Sequence, residues 1–130
     1  MNENELSRII VDSAIEVHKT LDGPGLLEGI YRDAMVFEIR KRGPSVEKEK
    51  LVPVKYKEEI VGTPVRLDLL IGGLVIVECK AVATYNSIFE SQLLTYLRLT
   101  DLKLGLVINF GQRLVKHGIH RVVNGLGEYR

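Results

Sequence analysis

Two apolar runs constrain the fold of this chain more than any other feature of its sequence. The first is Leu-Val-Ile-Val at residues 74–77, and the second is Leu104–Phe110, in which Asn109 is the one polar side chain. Strands this apolar are typically buried on both faces, so helices must cover both sides of their sheet. If the two strands are parallel neighbours, the helix predicted between them forms a right-handed crossover. The runs therefore predict an α/β sheet with helices packed on it.

Two amphipathic helices are predicted before the first strand. Apolar side chains recur at steps of three and four residues over residues 4–21 and again over about residues 26–42, which is the period of a helix with one buried face. Consecutive turn-forming residues, Asp22-Gly23-Pro24-Gly25, separate these helices, and Gly43-Pro44 ends the second. The chain thus begins with two helices, ahead of the sheet.

The apolar period changes to two after residue 45, which is typical of strands. It predicts a long strand from Val46 to Tyr56 and, after a turn at residues 57–59, a second strand over Ile60–Ile71 with a break near residues 62–64. Gly72-Gly73 then turns the chain into the strand Leu74–Lys80. These segments predict three successive antiparallel strands.

Short patterns mark the remaining elements. Ser87 and Glu90 have the spacing of a capping box, so we expect one at the start of the helix Ile88–Thr100. Residues 113–123 are predicted to form a small closing hairpin that turns near His117-Gly118, and the last residues a loose tail.

The 130-residue length predicts one domain, since domains average about 150 residues. Its 45% hydrophobic and 27% charged residues exclude intrinsic disorder, collagen and a coiled coil, and its net charge of +1 argues against non-specific coating of nucleic acid. The single cysteine, Cys79, excludes an internal disulfide and a four-thiolate zinc site, which points to a reducing compartment. No stretch reaches the about 18 apolar residues of a membrane span. The acidic N-terminus is no secretory signal, so we expect a cytoplasmic protein.

Three ionisable residues interrupt the apolar strands. Asp68 lies within Val65–Ile71, and Glu78 and Lys80 end the next run. Because a buried charge without a partner is costly, such residues are usually paired or bind an ion. Glu78 and Lys80 are two residues apart, so they share one face of the strand, whereas Cys79 points to the other.

The length of the loop at Gly72-Gly73 decides whether Asp68 joins them. A two-residue loop would turn Asp68 away from Glu78. A three-residue loop pairs Ile71 with Val75 and sets Asp68 directly across from Glu78. Glycine suits the left-handed position of such a loop and its bulge, so we predict the odd length or an equivalent bulge. Two carboxylates and an ammonium would then meet at one sheet edge.

Two interpretations fit such a cluster. Carboxylate oxygens suit Mg²⁺ or Mn²⁺, which would lower the pKa of a bound water and neutralise charge on a phosphodiester. Lys80 would then orient that water or stabilise the transition state. The alternative is a buried Asp–Lys or Glu–Lys ion pair that holds the strands in register.

Five segments of the chain resemble one nuclease family. Gly25-Leu26-Leu27-Glu28-Gly29-Ile30-Tyr31 is a full match to the signature that names the GxxExxY proteins, a group within the PD-(D/E)XK nuclease superfamily. The other segments follow in the family's order: Arg66–Leu70, Ile76–Val82, Glu90–Leu97 and Gly105–Phe110. The resemblance spans about residues 5–123.

The resemblance implies a fold and a site. The implied fold is the restriction-endonuclease-like core of helix, three-stranded antiparallel meander, helix and strand, with an extra N-terminal helix and a C-terminal hairpin. Asp68 corresponds to the superfamily's first acidic ligand, and Glu78 and Lys80 to its E-x-K pair. Glu28 matches an acidic residue that some members supply from the first core helix. The implied metal ligands are Asp68, Glu78 and Glu28, and the implied cofactor is Mg²⁺ or Mn²⁺.

Three further side chains gain expected roles from the resemblance. Gln92 and Tyr96 share one face of the third helix and resemble a pair that lies close to water or substrate phosphate in superfamily nucleases, so Gln92 is expected to be catalytic. Tyr96 and Tyr31 are expected to contact substrate. These three side chains and Glu28 each have a structural alternative. Glu28 would be a first-turn carboxylate favoured by the helix dipole, Tyr31 an aromatic at the core edge, and the Gln92–Tyr96 pair a hydrogen-bonding cap of the helix face.

Two positions depart from the family's pattern. Leu67 precedes Asp68 where the superfamily name has proline, and Phe89 stands where many relatives have histidine. If that histidine assists catalysis, Phe89 puts activity in question.

The sequence therefore leaves two functional hypotheses. The first is a divalent-metal-dependent nuclease that hydrolyses phosphodiester bonds of nucleic acid, with Asp68, Glu78, Lys80, Gln92 and Glu28 as its catalytic set. The second is a catalytically silent module of the same fold that binds nucleic acid or a partner protein. A domain this small offers limited surface for binding a duplex, so a homodimer is one arrangement that we expect.

Overall fold

A five-stranded sheet separates two layers of helices in the computed structural model, which describes residues 1–126. The elements follow in chain order: α1 (Glu3–Thr20), α2 (Glu28–Lys41), β1 (Val46–Val52), β2 (Lys55–Tyr56), β3 (Glu59–Ile60), β4 (Val65–Ile71), β5 (Val75–Lys80), α3 (Ile88–Thr100), β6 (Leu104–Asn109) and β7 (Ile119–Val123). The sheet has the strand order β1-β4-β5-β6-β7, and β2 and β3 form a separate small hairpin. The predicted α/β class is confirmed.

Two apolar clusters, one on each face of the sheet, form the core. Side chains of α1 and α2 pack against one face, which includes Val75, Val77 and Cys79 of β5. Leu93 and Leu97 of α3 pack on the other face, against side chains that include Ile76. Because neighbouring residues of β5 point to opposite faces and both faces are covered, the apolar run needs no polar side.

The register between β4 and β5 is the one that the glycine loop predicts. Ile71 pairs with Val75, and both Gly72 (φ 59°) and Gly73 (φ 70°) have left-handed backbone angles that favour glycine. Beyond β5 the chain crosses through α3 to β6, which is parallel to β5 and adjacent to it. The two apolar strands are therefore parallel neighbours, which is the condition set for the crossover, and the end of β5 lies between β4 and β6.

The predicted long strand ends earlier than expected. β1 stops at Val52, because Pro53 has no N–H to donate to a strand ladder. Residues 55–60 form the β2–β3 hairpin instead, and the turn is expected from the sequence. Its two central residues, Lys57 (φ 50°) and Glu58 (φ 72°), both have the positive φ angles of a tight hairpin turn.

Two predictions for the second half of the chain are wrong. Ser87 makes no capping hydrogen bond because its backbone is already helical (φ −63°, ψ −10°), and Asn86 Oδ1 accepts the N–H of Ile88 instead. The closing hairpin does not form within residues 113–123. Val115–Gly118 is a 3₁₀ turn, and β7 pairs antiparallel with β6. The predicted loose tail begins after Val123, but Asn124 is held there, since its N–H donates to the Lys103 carbonyl at 2.8 Å and its Nδ2 to the Leu102 carbonyl at 3.0 Å. Residues 127–130 of this tail lie outside the described residues.

A buried asparagine fixes the end of β5 from the neighbouring strand. The Asn109 side chain is fully buried, and its Oδ1 accepts the backbone N–H groups of Val82 (3.0 Å) and Gly111 (2.9 Å). Its Nδ2 donates to the Val82 carbonyl at 3.0 Å. The Phe110 N–H donates to the Lys80 carbonyl at 2.8 Å. Two consecutive residues at the end of β6 therefore hold the main chain of residues 80–82.

We expect the substitution Asn109→Leu to destabilise the fold, because it keeps the side-chain volume but leaves two N–H groups and one carbonyl without their partner. The expected loss is about 2–4 kcal/mol in the free energy of unfolding, measured with urea. Thr84→Ala, which changes an exposed side chain of the adjoining loop, is the control and should cost less than about 0.5 kcal/mol. Equal losses in the two variants would show that the Asn109 clamp carries no stability.

Candidate functional site

Two carboxylates accept hydrogen bonds from the main chain where β4 and β5 separate. The strand pairing runs from Ile71–Val75 to Leu69–Val77. Beyond it, the Asp68 N–H donates to Oε2 of Glu78 at 3.0 Å, and the Cys79 N–H donates to Oδ2 of Asp68 at 2.9 Å. Side-chain oxygens thus accept hydrogen bonds that main-chain carbonyls accept elsewhere in the ladder, and both acids are fixed against the sheet.

Burial makes this acid pair electrostatically costly. The exposed fractions of Asp68 and Glu78 are only 6% and 8%, and neither forms an ion pair within residues 1–126. Burial, followed by the nearby charge of Asp68, raises the pKa of Glu78 to about 8. At neutral pH the pair therefore retains a proton, and a cation placed beside it would favour the fully ionised form.

Lys80 lies close to the acids without pairing with them. Its side chain is half-buried at the end of β5. Its Nζ lies 4.5 Å from the ring centroid of Phe89, on α3. This is a cation–π distance. The Asp–Lys or Glu–Lys ion pair, which the spacing left open, does not form among the described residues. The ammonium is held beside the acids by an aromatic ring.

The ring that holds Lys80 belongs to a small cluster that the sequence analysis missed. Phe89 meets Tyr85 edge to face (5.6 Å, 71°), and Tyr85 stacks on His120 (3.9 Å, 10°). The Tyr85 hydroxyl donates to Oε2 of Glu90 at 3.2 Å, and Nδ1 of His120 lies 3.7 Å from the same oxygen. His120 lies within the segment 113–123 that was predicted as a hairpin, and it reaches this cluster because β7 runs beside β6 and α3.

Glu28 approaches the acid pair from the other helical layer. It is the first residue of α2 and is half-buried. Burial raises the pKa of its carboxyl above the ordinary value, Lys80 opposes this rise, and Asp68 adds to it. These interactions place Glu28 within electrostatic range of both residues, although it forms no hydrogen bond with either among residues 1–126.

Of the predicted Gln92–Tyr96 pair, only Tyr96 interacts electrostatically with the acids. Tyr96 is half-buried, and burial together with the charges of Glu78 and Asp68 raises the pKa of its phenol, so the hydroxyl is within electrostatic range of the carboxylates. Gln92, one turn earlier on α3, is exposed and forms no side-chain hydrogen bond within the described chain. Its amide is free to reach a ligand.

Tyr31 lies in the core, which corrects the predicted substrate contact. The side chain is fully buried and stacks on Phe110 at 4.7 Å. Its hydroxyl donates to the Gly23 carbonyl at 2.7 Å and accepts the Leu26 N–H at 3.2 Å. The tyrosine of this signature therefore fixes the loop ahead of Glu28 and cannot reach a substrate.

The donor set fits an open site for a hard cation better than a closed cage. Within residues 1–126, no three His, Cys, Asp or Glu side chains come close enough together to hold a metal ion, so Glu28 does not complete the predicted set of three. Asp68 and Glu78 still offer adjacent carboxylate oxygens. Mg²⁺ and Mn²⁺ accept such a pair because they prefer oxygen ligands, and Mg²⁺ usually retains several waters.

We expect Glu78→Gln to change the pH dependence of stability in metal-free buffer. The folded chain keeps the Glu78 proton up to about pH 8, whereas the unfolded chain releases it near pH 4.5. Glu78 should therefore lower the free energy of unfolding by up to about 1.4 kcal/mol for each pH unit between these values. The glutamine variant should lack this decline, so its advantage over the wild type should grow from pH 5 to pH 8.

Urea unfolding with EDTA at several pH values measures this difference. Glu59→Gln, which removes an exposed carboxylate on β3, is the control and should follow the wild type. Parallel pH profiles for the wild type and Glu78→Gln would contradict the assigned environment of Glu78.

Comparison with known proteins identifies the family to which this chain belongs. A family model described as the PD-(D/E)XK nuclease superfamily matches residues 4–122, which is nearly the whole chain. Searches among curated proteins and among solved structures give no match. Across residues 1–126, none of the helices combines the length and the apolar character that a membrane crossing requires. The family match covers every element of the sheet that carries the acids, so the chain belongs to the PD-(D/E)XK nuclease superfamily.

Proposed function

We propose that this chain is a divalent-metal-dependent nuclease that hydrolyses phosphodiester bonds of nucleic acid. The observation that carries the proposal is the acid pair itself. Asp68 and Glu78 are buried side by side without a cation of their own, and the ammonium of Lys80 lies nearby without neutralising them. Such an arrangement lowers the stability of the fold. Carboxyl groups with perturbed pKa values cluster at functional sites, so this cost is consistent with a functional role.

Each residue of the site has a role in this proposal. Asp68 and Glu78 would hold Mg²⁺ or Mn²⁺, and Glu28 would add negative charge nearby without completing the ligand set. When bound, the cation supplies Lewis acidity that activates water and neutralises phosphate charge. The Lys80 ammonium donates to the attacking water or to a phosphate oxygen as negative charge develops. Gln92 orients water or phosphate from α3, and Tyr96 braces the helix beside the acids.

The alternative function is a nuclease-fold module that binds nucleic acid or a partner protein without cutting. Phe89 favours it, because the family resemblance leads us to expect histidine at this position and a phenyl ring transfers no proton. The near-neutral net charge of +1 also provides no strong overall electrostatic attraction to nucleic acid. Membership of the GxxExxY group, a homodimer and a cytoplasmic location remain predictions.

A thermal melting series with Mg²⁺ or Mn²⁺ tests the metal site. At a hundredfold excess over its dissociation constant, a bound ion stabilises the fold by about 2.7 kcal/mol, so the melting temperature should rise by several degrees. Asp68→Asn should abolish the rise because it removes a ligand charge. Asp12→Asn, on the exposed face of α1, should keep it. The absence of any rise in the wild type would refute the metal site.

A cleavage assay tests catalysis separately. We expect the wild type with Mn²⁺ to cut at least one member of a panel of single- and double-stranded DNA and RNA. Lys80→Met, which keeps the length of the stem but removes the charge, should slow cleavage by about 10²–10³-fold. Lys55→Met on the β2–β3 hairpin should have no effect. A metal-dependent rise in melting temperature without cleavage of any substrate would favour the silent module.

A further inference from the structure

A second site lies at the same end of the sheet, on the face covered by α1 and α2. It is a cavity of about 550 Å³ between the last turns of α1, the loop after that helix and the segment that follows β6. This volume is within the ordinary range of ligand pockets. Large apolar side chains remain accessible in it, with Ile15 43% and Leu114 45% exposed. No residue of the acid pair lines the cavity, so it is a separate site.

The charge of the cavity is unbalanced. Lys19, Arg113 and Lys116 line it, against one acidic residue, Asp22. None of the three cations has an ion-pair partner within residues 1–126. Three unpaired cations around an apolar floor are complementary to an anion with an apolar part.

The wall of the cavity is firmly held and connects to the acid pair. Gly23, in the wall, accepts the hydrogen bond of the buried Tyr31 hydroxyl. His18, also in the wall, has its Nε2 3.0 Å from the carbonyl oxygen of Phe110, which directly follows β6. The loop that forms this wall leads into Glu28, which lies within electrostatic range of Asp68 and Lys80. Residues 24–27 therefore join the wall of the cavity to Glu28 along the chain.

We propose that this cavity binds one unpaired nucleotide of a single-stranded nucleic acid, on the same strand as the phosphodiester that is hydrolysed at the acid pair. The inference rests on the proposed function and adds the substrate class to it. The base lies on the apolar floor, while flanking phosphates contact Arg113, Lys116 and Lys19. A base that is stacked and paired in a duplex cannot enter such a cavity, so the site selects single strands.

Fluorescence anisotropy with a labelled twelve-nucleotide oligo-dT in EDTA tests the binding. The double variant Arg113→Glu/Lys116→Glu should bind at least about tenfold more weakly and show a shallower salt dependence, by about 0.7 for each lost phosphate contact. Ile15→Trp, which fills the floor without changing charge, should weaken binding but leave the salt slope unchanged; Leu114→Trp provides a second such variant. The charge-matched control Lys55→Glu/Lys57→Glu, on the distant hairpin, should bind like the wild type.

The outcomes separate this inference from the proposed function. Preference for the single strand over its duplex, lost in the cavity variants alone, supports the inference. Equal binding by the cavity and control variants, or tighter binding of the duplex, overturns it even if the wild type cuts nucleic acid. The proposed function fails separately, through the absence of a metal-dependent melting shift and of cleavage. The cavity variants should keep that melting shift, because they leave the acid pair intact.

Discussion

Where β4 and β5 separate, carboxylate oxygens take the place of main-chain carbonyls, and this exchange sets the geometry of the whole site. The Asp68 and Cys79 N–H groups are satisfied, so the sheet can open without leaving buried donors unpaired. The same hydrogen bonds fix both side chains to the backbone. The cost appears at Glu78, whose raised pKa reflects burial beside a second acid. A cation that enters the site would reduce this cost.

Much of this geometry could be predicted from the sequence, because it depends on local rules. Strand alternation puts Glu78 and Lys80 on one face, and the glycine loop sets Asp68 opposite Glu78. The two apolar runs predict a sheet covered on both faces. In each case, a pattern of a few residues determines which way a side chain points, and burial enforces that direction.

Other features of the site depend on contacts between distant parts of the chain. The Lys80–Phe89 contact requires the crossover to bring α3 over β5, and His120 joins the cluster only because β7 returns along β6. The Asn109 clamp likewise joins residues that are 27 positions apart. The capping box failed for a local reason, since spacing alone does not reveal that the Ser87 backbone is helical. Tyr31 was misjudged because its hydroxyl, although polar, is satisfied entirely by the preceding loop.

Phe89 gives the site an unusual balance of charge. A histidine at this position could exchange protons with its surroundings, whereas a phenyl ring offers only its electron-rich face to the ammonium of Lys80. That contact leaves the acids free to bind another cation. A crystal of the wild type soaked in Mn²⁺ tests this account most directly. The account predicts an anomalous scattering peak bridging the carboxylates of Asp68 and Glu78. The absence of a peak there after soaking at a saturating Mn²⁺ concentration would contradict it. An ion pair of Lys80 with both acids would also contradict it.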